Sequence, residues 1–528
     1  MTGSGGDGPA AGAPPETTAN EWQRLDRRML LVHPIQAVVK FLPAVIGGAI
    51  LGVSSGNPLW ALLGPVIVVP YGLALWFTTT YRMSAGHVEL RTGVIQRKRL
   101  SVPRARIRSV DIEADPLHRI LGLAAVVIGT GQEAGADDRF TLDALAADRV
   151  RPLRAELLAH TRAPHTAAGS PDVASPDEKT AVTPENPGAG REIGHWRPEW
   201  VRYAPLSLTG FALAASALGI AAQFGFGAAE IRVSRETVDN VRGFGVAALV
   251  IAGALALAVL VVIVSLAACG HYLITYFGLR VTDYGSTLQV RRGLFTLRQI
   301  TLDSARLRGA TIIEPLLLRL AGAAQLEAIM TGENPRQKIL PQSPRPAVEH
   351  TLADLLRPRR RTGAPDPAEL PHLVAPAQVP LTPHGPAARR RRHIRASWPV
   401  PLTLLVLAIS AAAGWHISAW WWLVPVVLLP LCVLLAEDRY RGLGHAVLPA
   451  SPGSPTWLVA RSGSLDRERS CLEAPGIIGW TIRQTFWQRR AGLATLSAAT
   501  AAGKKVYSIP DVPLDRARTI IEQTTPDL

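Results

Sequence analysis

Residues 88–93 read Val-Glu-Leu-Arg-Thr-Gly, and similar stretches recur at 288–293 (Leu-Gln-Val-Arg-Arg-Gly) and 458–463 (Leu-Val-Ala-Arg-Ser-Gly). In each stretch, apolar and polar side chains alternate with a period near two. Each stretch ends at a glycine and is followed by a second strand-like run. This pattern predicts a β-hairpin whose glycine supplies the positive φ of the turn. Three hairpins of one design indicate three copies of one small module.

Long apolar stretches precede every predicted module. No Asp, Glu, Lys or Arg occurs in residues 58–80, 203–229, 243–279 or 398–436. About 20 apolar residues span a bilayer as a helix. We therefore predict a multi-pass membrane protein with crossings at 38–56, 58–80, 203–224, 243–268, 398–415 and 418–436.

The distribution of basic residues predicts the orientation. Of 56 Lys and Arg, only Arg232, Arg235 and Arg242 fall in the turns that join paired crossings. The positive-inside rule then places the modules and both termini in the cytoplasm. The formal net charge of +15 would belong almost wholly to that face.

The predicted organisation has nine segments. They are an N-terminal arm expected to be disordered and basic (1–34), transmembrane hairpin 1 (35–80), module 1 (81–160), a linker (161–196), transmembrane hairpin 2 (203–268), module 2 (271–357), a basic Pro-rich linker (358–395), transmembrane hairpin 3 (398–436) and module 3 (437–525). Helices are predicted to close the modules at Leu142–His160, Pro346–Arg357 and Val512–Thr524. We interpret the arginine run at 389–395 primarily as a topology anchor, a role compatible with a lipid contact.

Further short patterns recur after the hairpins. Module 1 reads Val-Pro-Arg-Ala-Arg-Ile-Arg-Ser-Val-Asp at 102–111 and Asp-Pro-Leu-His-Arg-Ile-Leu-Gly-Leu at 115–123. Module 2 keeps Ala-Arg-Leu-Arg at 305–308 and Arg-Leu-Ala-Gly at 319–322. Module 3 keeps Arg-Arg-Ala-Gly-Leu at 489–493 but lacks the arginines of the middle segment, so we regard it as divergent.

These motifs resemble the bacterial PH-like domain of the YdbS/YdbT type, and the plan of the chain resembles the three-domain, YdbT-like long form. The resemblance implies three cytoplasmic PH-like β domains, each a strongly bent antiparallel sheet of about seven strands with a C-terminal helix. It also implies a set of equivalent fold positions: Gly93, Pro116, Arg119, Gly122, Gly293, Arg319, Gly322, Gly463, Arg489 and Gly492.

Basic residues on the predicted strands are the candidate binding residues. Arginine can bind phosphate in a bidentate manner, although a charged strand face is often simply solvated. The candidates for contact with anionic lipid or a partner are Arg97, Lys98, Arg99, Arg104, Arg106, Arg108, Arg306 and Arg308.

The function predicted from these features is non-enzymatic. The sequence contains no recognisable nucleophile–base constellation, metal-ligand set or phosphate-binding loop, so no cofactor or metal is predicted. Nucleic-acid binding is not expected either, because no aromatic platform accompanies the arginines. The chain is predicted to be a membrane scaffold or sensor that binds protein partners, a second copy of itself, or anionic lipid headgroups. Two alternatives are an accessory protein for export of, or tolerance to, membrane-active peptides, and an unrecognised membrane enzyme.

Overall fold

The computed structural model describes most of residues 22–32, 73–129, 140–150, 190–207, 246–357 and 376–526. The chain forms two compact units, residues 1–178 and 179–528. The crossing predicted at 38–56 and most of those predicted at 58–80 and 203–224 lie outside the described residues.

The first unit contains module 1. One antiparallel group has the order β1 (Gln23–Arg24), β2 (Thr80–Met83), β3 (His87–Thr92) and β4 (Lys98–Pro103). A second antiparallel group contains β5 (Ser109–Ala114), β6 (Leu123–Gly129) and β7 (Phe140–Ala146), with helix α1 (Pro116–Leu121) between β5 and β6. The inward residues of both groups, such as Val88 and Val126, form one buried core.

The second unit contains modules 2 and 3 with their apolar helices. Its strands are β8 (Arg191–His195), β9 (Arg280–Asp283), β10 (Thr287–Arg292), β11 (Leu297–Asp303), β12 (Leu307–Pro315), β13 (Ala323–Met330), β14 (Arg336–Pro344), β15 (Gly444–Leu448), β16 (Trp457–Gly463), β17 (Asp466–Glu473), β18 (Ile477–Arg483), β19 (Leu493–Thr500) and β20 (Val506–Pro513). Its helices are α2 (Val246–Tyr276), α3 (Leu316–Leu320), α4 (Arg345–Leu355), α5 (Gly385–Ser397), α6 (Pro399–Ala412), α7 (Leu423–Arg441), α8 (Phe486–Arg490) and α9 (Leu514–Thr524).

Strand pairing joins modules 2 and 3. Strands β8 to β11 pair antiparallel in chain order, and β18, β19 and β20 form a three-stranded sheet. Between these groups lies a six-stranded sheet with the order β14-β13-β12-β17-β16-β15. Its centre is the antiparallel contact of β12 with β17, where Gly309 to Pro315 face Leu472 to Asp466. One hydrophobic core therefore includes residues of both modules, for example Leu326 and Val459.

Glycines stand at the turns where the sequence places them. Gly93, Gly293 and Gly463 each follow or end the second strand of a module, with φ values of 122°, 116° and 102°. A Cβ atom at Gly463 would lie 2.0 Å from the carbonyl oxygen of Asp466. Any other residue would therefore clash with the turn as well as strain the backbone.

Three described helices are long and apolar enough to cross a membrane. They are Leu257–Tyr276 within α2, Gly385–Ala412, which joins α5 and α6, and Ala419–Arg441, which includes α7. Their mean hydropathies are 2.4, 1.5 and 2.2. Each of these helices overlaps one predicted crossing. However, the predicted crossing at 203–224 does not begin as expected, because residues 198–206 form a 3-10 helix. Tyr203 and Ala204 are buried there in the core of module 2.

Several predicted boundaries differ from the structure. Part of the N-terminal arm is folded, because β1 pairs with β2 and Leu25 and Met29 are buried. The first linker ends in strand β8, and the second ends in helix α5. The helix predicted from Leu142 begins too early, since Leu142 lies in β7, where alternate side chains fill the core. Val512 likewise belongs to β20, and helix α9 begins at Leu514.

Candidate functional site

The basic candidates of module 1 divide into exposed and paired residues. Arg97 and Lys98 are exposed, and Arg104 is half-buried. Arg99 donates to a carboxylate oxygen of Glu89 at 2.8 Å, and this bond is the main reason why the pKa of Glu89 lies below its usual value. Arg99 is therefore paired within the module, where it shares the Glu89 carboxylate with Arg82. Arg106 and Arg108 lie outside the described residues.

The basic candidates of module 2 have carboxylate neighbours. Arg306 lies 3.7 Å from Asp303, at the start of the turn that leads into β12. Arg308 donates to Glu473 at 2.6 Å, and Glu473 is the last residue of β17 in module 3. Arg308 therefore stabilises the contact between two modules, a role that its sequence position alone did not indicate.

In each module, backbone pairing joins the residues just before an apolar segment to the residues just after it. In module 1, Gln23 pairs with Tyr81 across β1 and β2, from opposite ends of the predicted hairpin 1. In the second unit, β8 and β9 pair across hairpin 2, and the backbone N–H of Thr382 donates to the carbonyl of His445 (2.8 Å) across hairpin 3. The two ends of each apolar segment thus lie side by side.

A carboxylate at the end of helix α7 links that helix to both modules. Asp438 accepts hydrogen bonds from Arg319 at 2.7 Å and from Arg467 at 3.0 Å. Arg319 also donates to the carbonyl of Ser464 at 3.1 Å. The predicted fold position Arg319 therefore acts as a connection between α3 of module 2, the hairpin of module 3 and the last apolar helix. Asp438 was not predicted from the sequence, and the acidic pair Glu437–Asp438 directly after the apolar run is the signal that could have indicated it.

A second carboxylate, which is buried, binds two arginines of the run at 389–395. Asp511, on β20, is fully buried and paired with Arg391 and with Arg392, the latter at 2.6 Å. Gln488 of α8 donates to the same carboxylate at 2.9 Å. The run at 389–395, interpreted from sequence as a topology anchor, thus also attaches helix α5 to module 3.

Two buried histidines lie beside this carboxylate. His445 Nδ1 and His384 Nε2 are 3.1 Å apart, and His384 Nδ1 lies 3.0 Å from the carbonyl of Pro510. Burial is the main cause that lowers the pKa of each ring to about 4. The positive charge of Arg516 lowers the pKa of His445 further, whereas Asp511 acts in the opposite direction on His384. Both rings are therefore neutral at neutral pH.

The predicted fold positions in the short helices share one geometry. Gly122, Gly322 and Gly492 follow α1, α3 and α8 with φ values of 69°, 69° and 66°, as expected of the left-handed residue that ends a helix. Pro116 occupies the first turn of α1. Arg489 is exposed, in contrast to Arg319, which occupies the equivalent position in module 2.

Comparison with protein families agrees with this architecture. The model of the bacterial PH domain matches residues 37–161 and 397–526. Both segments are similar to bacterial PH domains. They comprise modules 1 and 3 together with the apolar stretches before them, and the antiparallel sheets of the structure are consistent with PH-like domains. Module 2 repeats the same order of strands and helices. No curated protein and no solved structure matches the chain. Similarity to bacterial PH domains suggests a role in binding lipid or protein.

Proposed function

We propose that this protein is a non-enzymatic, multi-pass membrane scaffold that presents three PH-like modules to protein partners at the cytoplasmic face of a bacterial plasma membrane. The observation that carries the proposal is the pairing of residues before and after each apolar segment, as between Gln23 and Tyr81. Ends that lie side by side require an even number of crossings between them. This supports three membrane hairpins with all modules on one side.

The ion pairs between modules and helices support a scaffold rather than a loosely tethered domain. Asp438 and Asp511 connect modules 2 and 3 to the helices α7 and α5. These connections hold the two modules at a fixed place beside the membrane helices. A fixed arrangement of binding surfaces favours the assembly of partners, because the modules then lose less conformational entropy when a partner binds.

Topology is testable with single cysteines introduced for labelling from outside the cell. A cysteine at Ser234 should react with an impermeant maleimide, whereas cysteines at Arg139 and Ser508 should react only after the membrane is permeabilised. Labelling of position 139 or 508 in intact cells would contradict the proposed orientation.

Partner binding is testable by photo-crosslinking in native membranes. A benzophenone amino acid would be placed at exposed positions of each module, beginning with Arg97 and Trp487. Discrete protein adducts from these positions are expected. If none of the exposed positions on any module yields a protein adduct, the scaffold function is refuted.

Anionic lipid is the second candidate ligand, because Arg97 and Lys98 are exposed beside each other. Each basic residue near an anionic surface contributes about 1 kcal/mol, and the attraction is screened by salt. Crosslinks from Arg97 to lipid that disappear at high salt would favour this ligand. Salt-independent crosslinks would exclude a mainly electrostatic contact.

A further inference from the structure

The second sheet of module 3 ends in an open strand. β18 forms an edge of the three-stranded sheet, and its strand neighbour within the described part of the chain is β19. The equivalent strand of module 2, β12, has β13 on one side and β17 on the other. This edge of the repeated module is therefore paired on both sides in module 2, whereas in module 3 the described residues pair with it on one side only.

Side-chain exposure at equivalent positions shows the difference. Ile312 on β12 is 3% exposed, whereas Ile482, its counterpart on β18, is 41% exposed. The short helices that follow these strands differ in the same way. Leu316 is half-buried and donates its N–H to Leu465 at 2.7 Å, whereas its counterpart Phe486 is 66% exposed.

A glycine marks the same place on both strands. A Cβ atom at Gly309 would lie 2.0 Å from the carbonyl oxygen of Cys471, so glycine is required there for the close approach of β17. Gly479 occupies the equivalent position, beside a register irregularity like that of β12. A Cβ atom at Gly479 would meet nothing within 4 Å. Module 3 thus keeps the small residue that strand docking needs, although no described strand docks there.

This edge has few of the usual protections against strand addition. Its register irregularity at Gly479 does not by itself prevent pairing, because β12 has the same irregularity and pairs with β17. Long edge strands are normally interrupted by proline, by charged side chains or by a covering element. β18 is seven residues long, contains no proline, and exposes Ile478 as well as Ile482. Trp487 is 69% exposed in the adjoining helix α8. An apolar edge of this kind is typical of an interaction surface.

Strand β17, which pairs with the edge of β12, indicates the chemistry of a segment that could pair with β18. Strand β17 carries three acidic and two basic residues, and at the edge of β12 its Glu473 accepts a hydrogen bond from Arg308 at 2.6 Å. Its Ser470 hydroxyl lies 3.1 Å from that of Thr311, and Thr481 stands at the equivalent position of β18. On β18 and α8 the charged residues are all basic and exposed: Arg483, Arg489 and Arg490.

We propose that β18 binds an extended segment of a partner protein, with acidic and apolar side chains, by antiparallel strand addition. Backbone hydrogen bonds would provide affinity and the alternating side chains specificity. Arg489 would hold a carboxylate or carbonyl of the partner, as Arg319 holds Asp438 and Ser464. The inference rests on the proposed scaffold function and identifies the class of partner for one module.

The test uses the full-length protein in detergent micelles and a peptide probe with the sequence of residues 464–473, in which serine replaces the cysteine. Hydrogen–deuterium exchange would be measured with and without the peptide. We expect exchange of alternate amides in residues 477–483 to slow by about tenfold or more, with no change in β12, whose edge is already occupied. Replacing the acidic residues of the peptide with lysine should weaken binding by about tenfold.

A glycine pair provides matched variants of the protein. Gly479→Val should abolish protection of β18 without loss of fold, because no atom lies near the new side chain. Gly86→Val, at another glycine with nothing within 4 Å, should bind the peptide like the wild type.

Other outcomes overturn the proposal. These are absence of peptide protection in β18, equal binding by Gly479→Val, and protection that rises with protein concentration alone, which would assign the edge to a second copy. Protection by vesicles containing phosphatidylglycerol but not by peptide would assign the surface to lipid. In each of these cases, protein crosslinks at other positions of the modules would still support the scaffold function.

Discussion

The buried carboxylate of Asp511 allows a direct test of how module 3 is attached to helix α5. Asp511→Asn removes the charge but keeps the size, and asparagine tolerates the φ of 59° found at this residue. Arg391 and Arg392, whose side chains are 12% and 17% exposed, would then face a neutral amide. Removing one partner of a buried ion pair costs about 3–5 kcal/mol. We expect about 3 kcal/mol, since both arginines retain some contact with solvent.

Hydrogen–deuterium exchange of the protein in micelles would measure this loss locally. A loss of about 3 kcal/mol corresponds to about hundredfold faster exchange in β20 and α5. Arg390→Gln is the control, because Arg390 belongs to the same run but is exposed, and it should change stability by less than about 0.5 kcal/mol. Adding Arg391→Met and Arg392→Met to Asp511→Asn should restore part of the protection, since no unpaired charge stays buried. Exchange of Asp511→Asn at the wild-type rate would refute this account.

Three further predictions concern the same unit. Because the pKa values of His384 and His445 are lowered to about 4 from 6.5, their contribution to stability should be complete above pH 6.5. This contribution should fall as pH drops toward 4, by up to about 3 kcal/mol for each histidine. Hydrogen exchange near the two histidines, corrected for the intrinsic exchange rate, would measure the loss. Exchange that stays constant between pH 7 and pH 4.5 would contradict the prediction. Burial raises the pKa of Cys471 to about 12, so the native thiol should resist maleimide at pH 8 and react after unfolding, and equal labelling rates would contradict the buried position. Asp438→Asn should release Arg319 and cost about 1–3 kcal/mol, measured as earlier proteolysis between modules 2 and 3; a variant as resistant as the wild type would show that this pair is dispensable.

Features that depend on short stretches of chain could be predicted from the sequence. The hairpin turns at Gly93, Gly293 and Gly463 followed from period-two runs that end at glycine, and all three have positive φ. The apolar helices followed from composition, because a charge-free run of this length is favourable as a membrane helix wherever the rest of the chain lies. The boundary errors at Leu142 and Val512 arose where apolar strand residues adjoin a helix, since a short apolar run does not distinguish the two.

The sequence by itself determined the three-fold repeat, its apolar stretches and its basic character, because periodicity, length and charge are local properties of the chain. Only the tertiary structure decided what the arginines do. Arg308 meets Glu473 across 165 residues, and Arg391 meets Asp511 across 120. The local sequence around an arginine on a strand does not show whether its side chain faces water, lipid or a carboxylate. The carboxylate comes from a distant segment and reaches the arginine only when the chain packs. The open edge of β18 also emerged only from the structure, because strand pairing depends on which backbone comes within hydrogen-bonding distance.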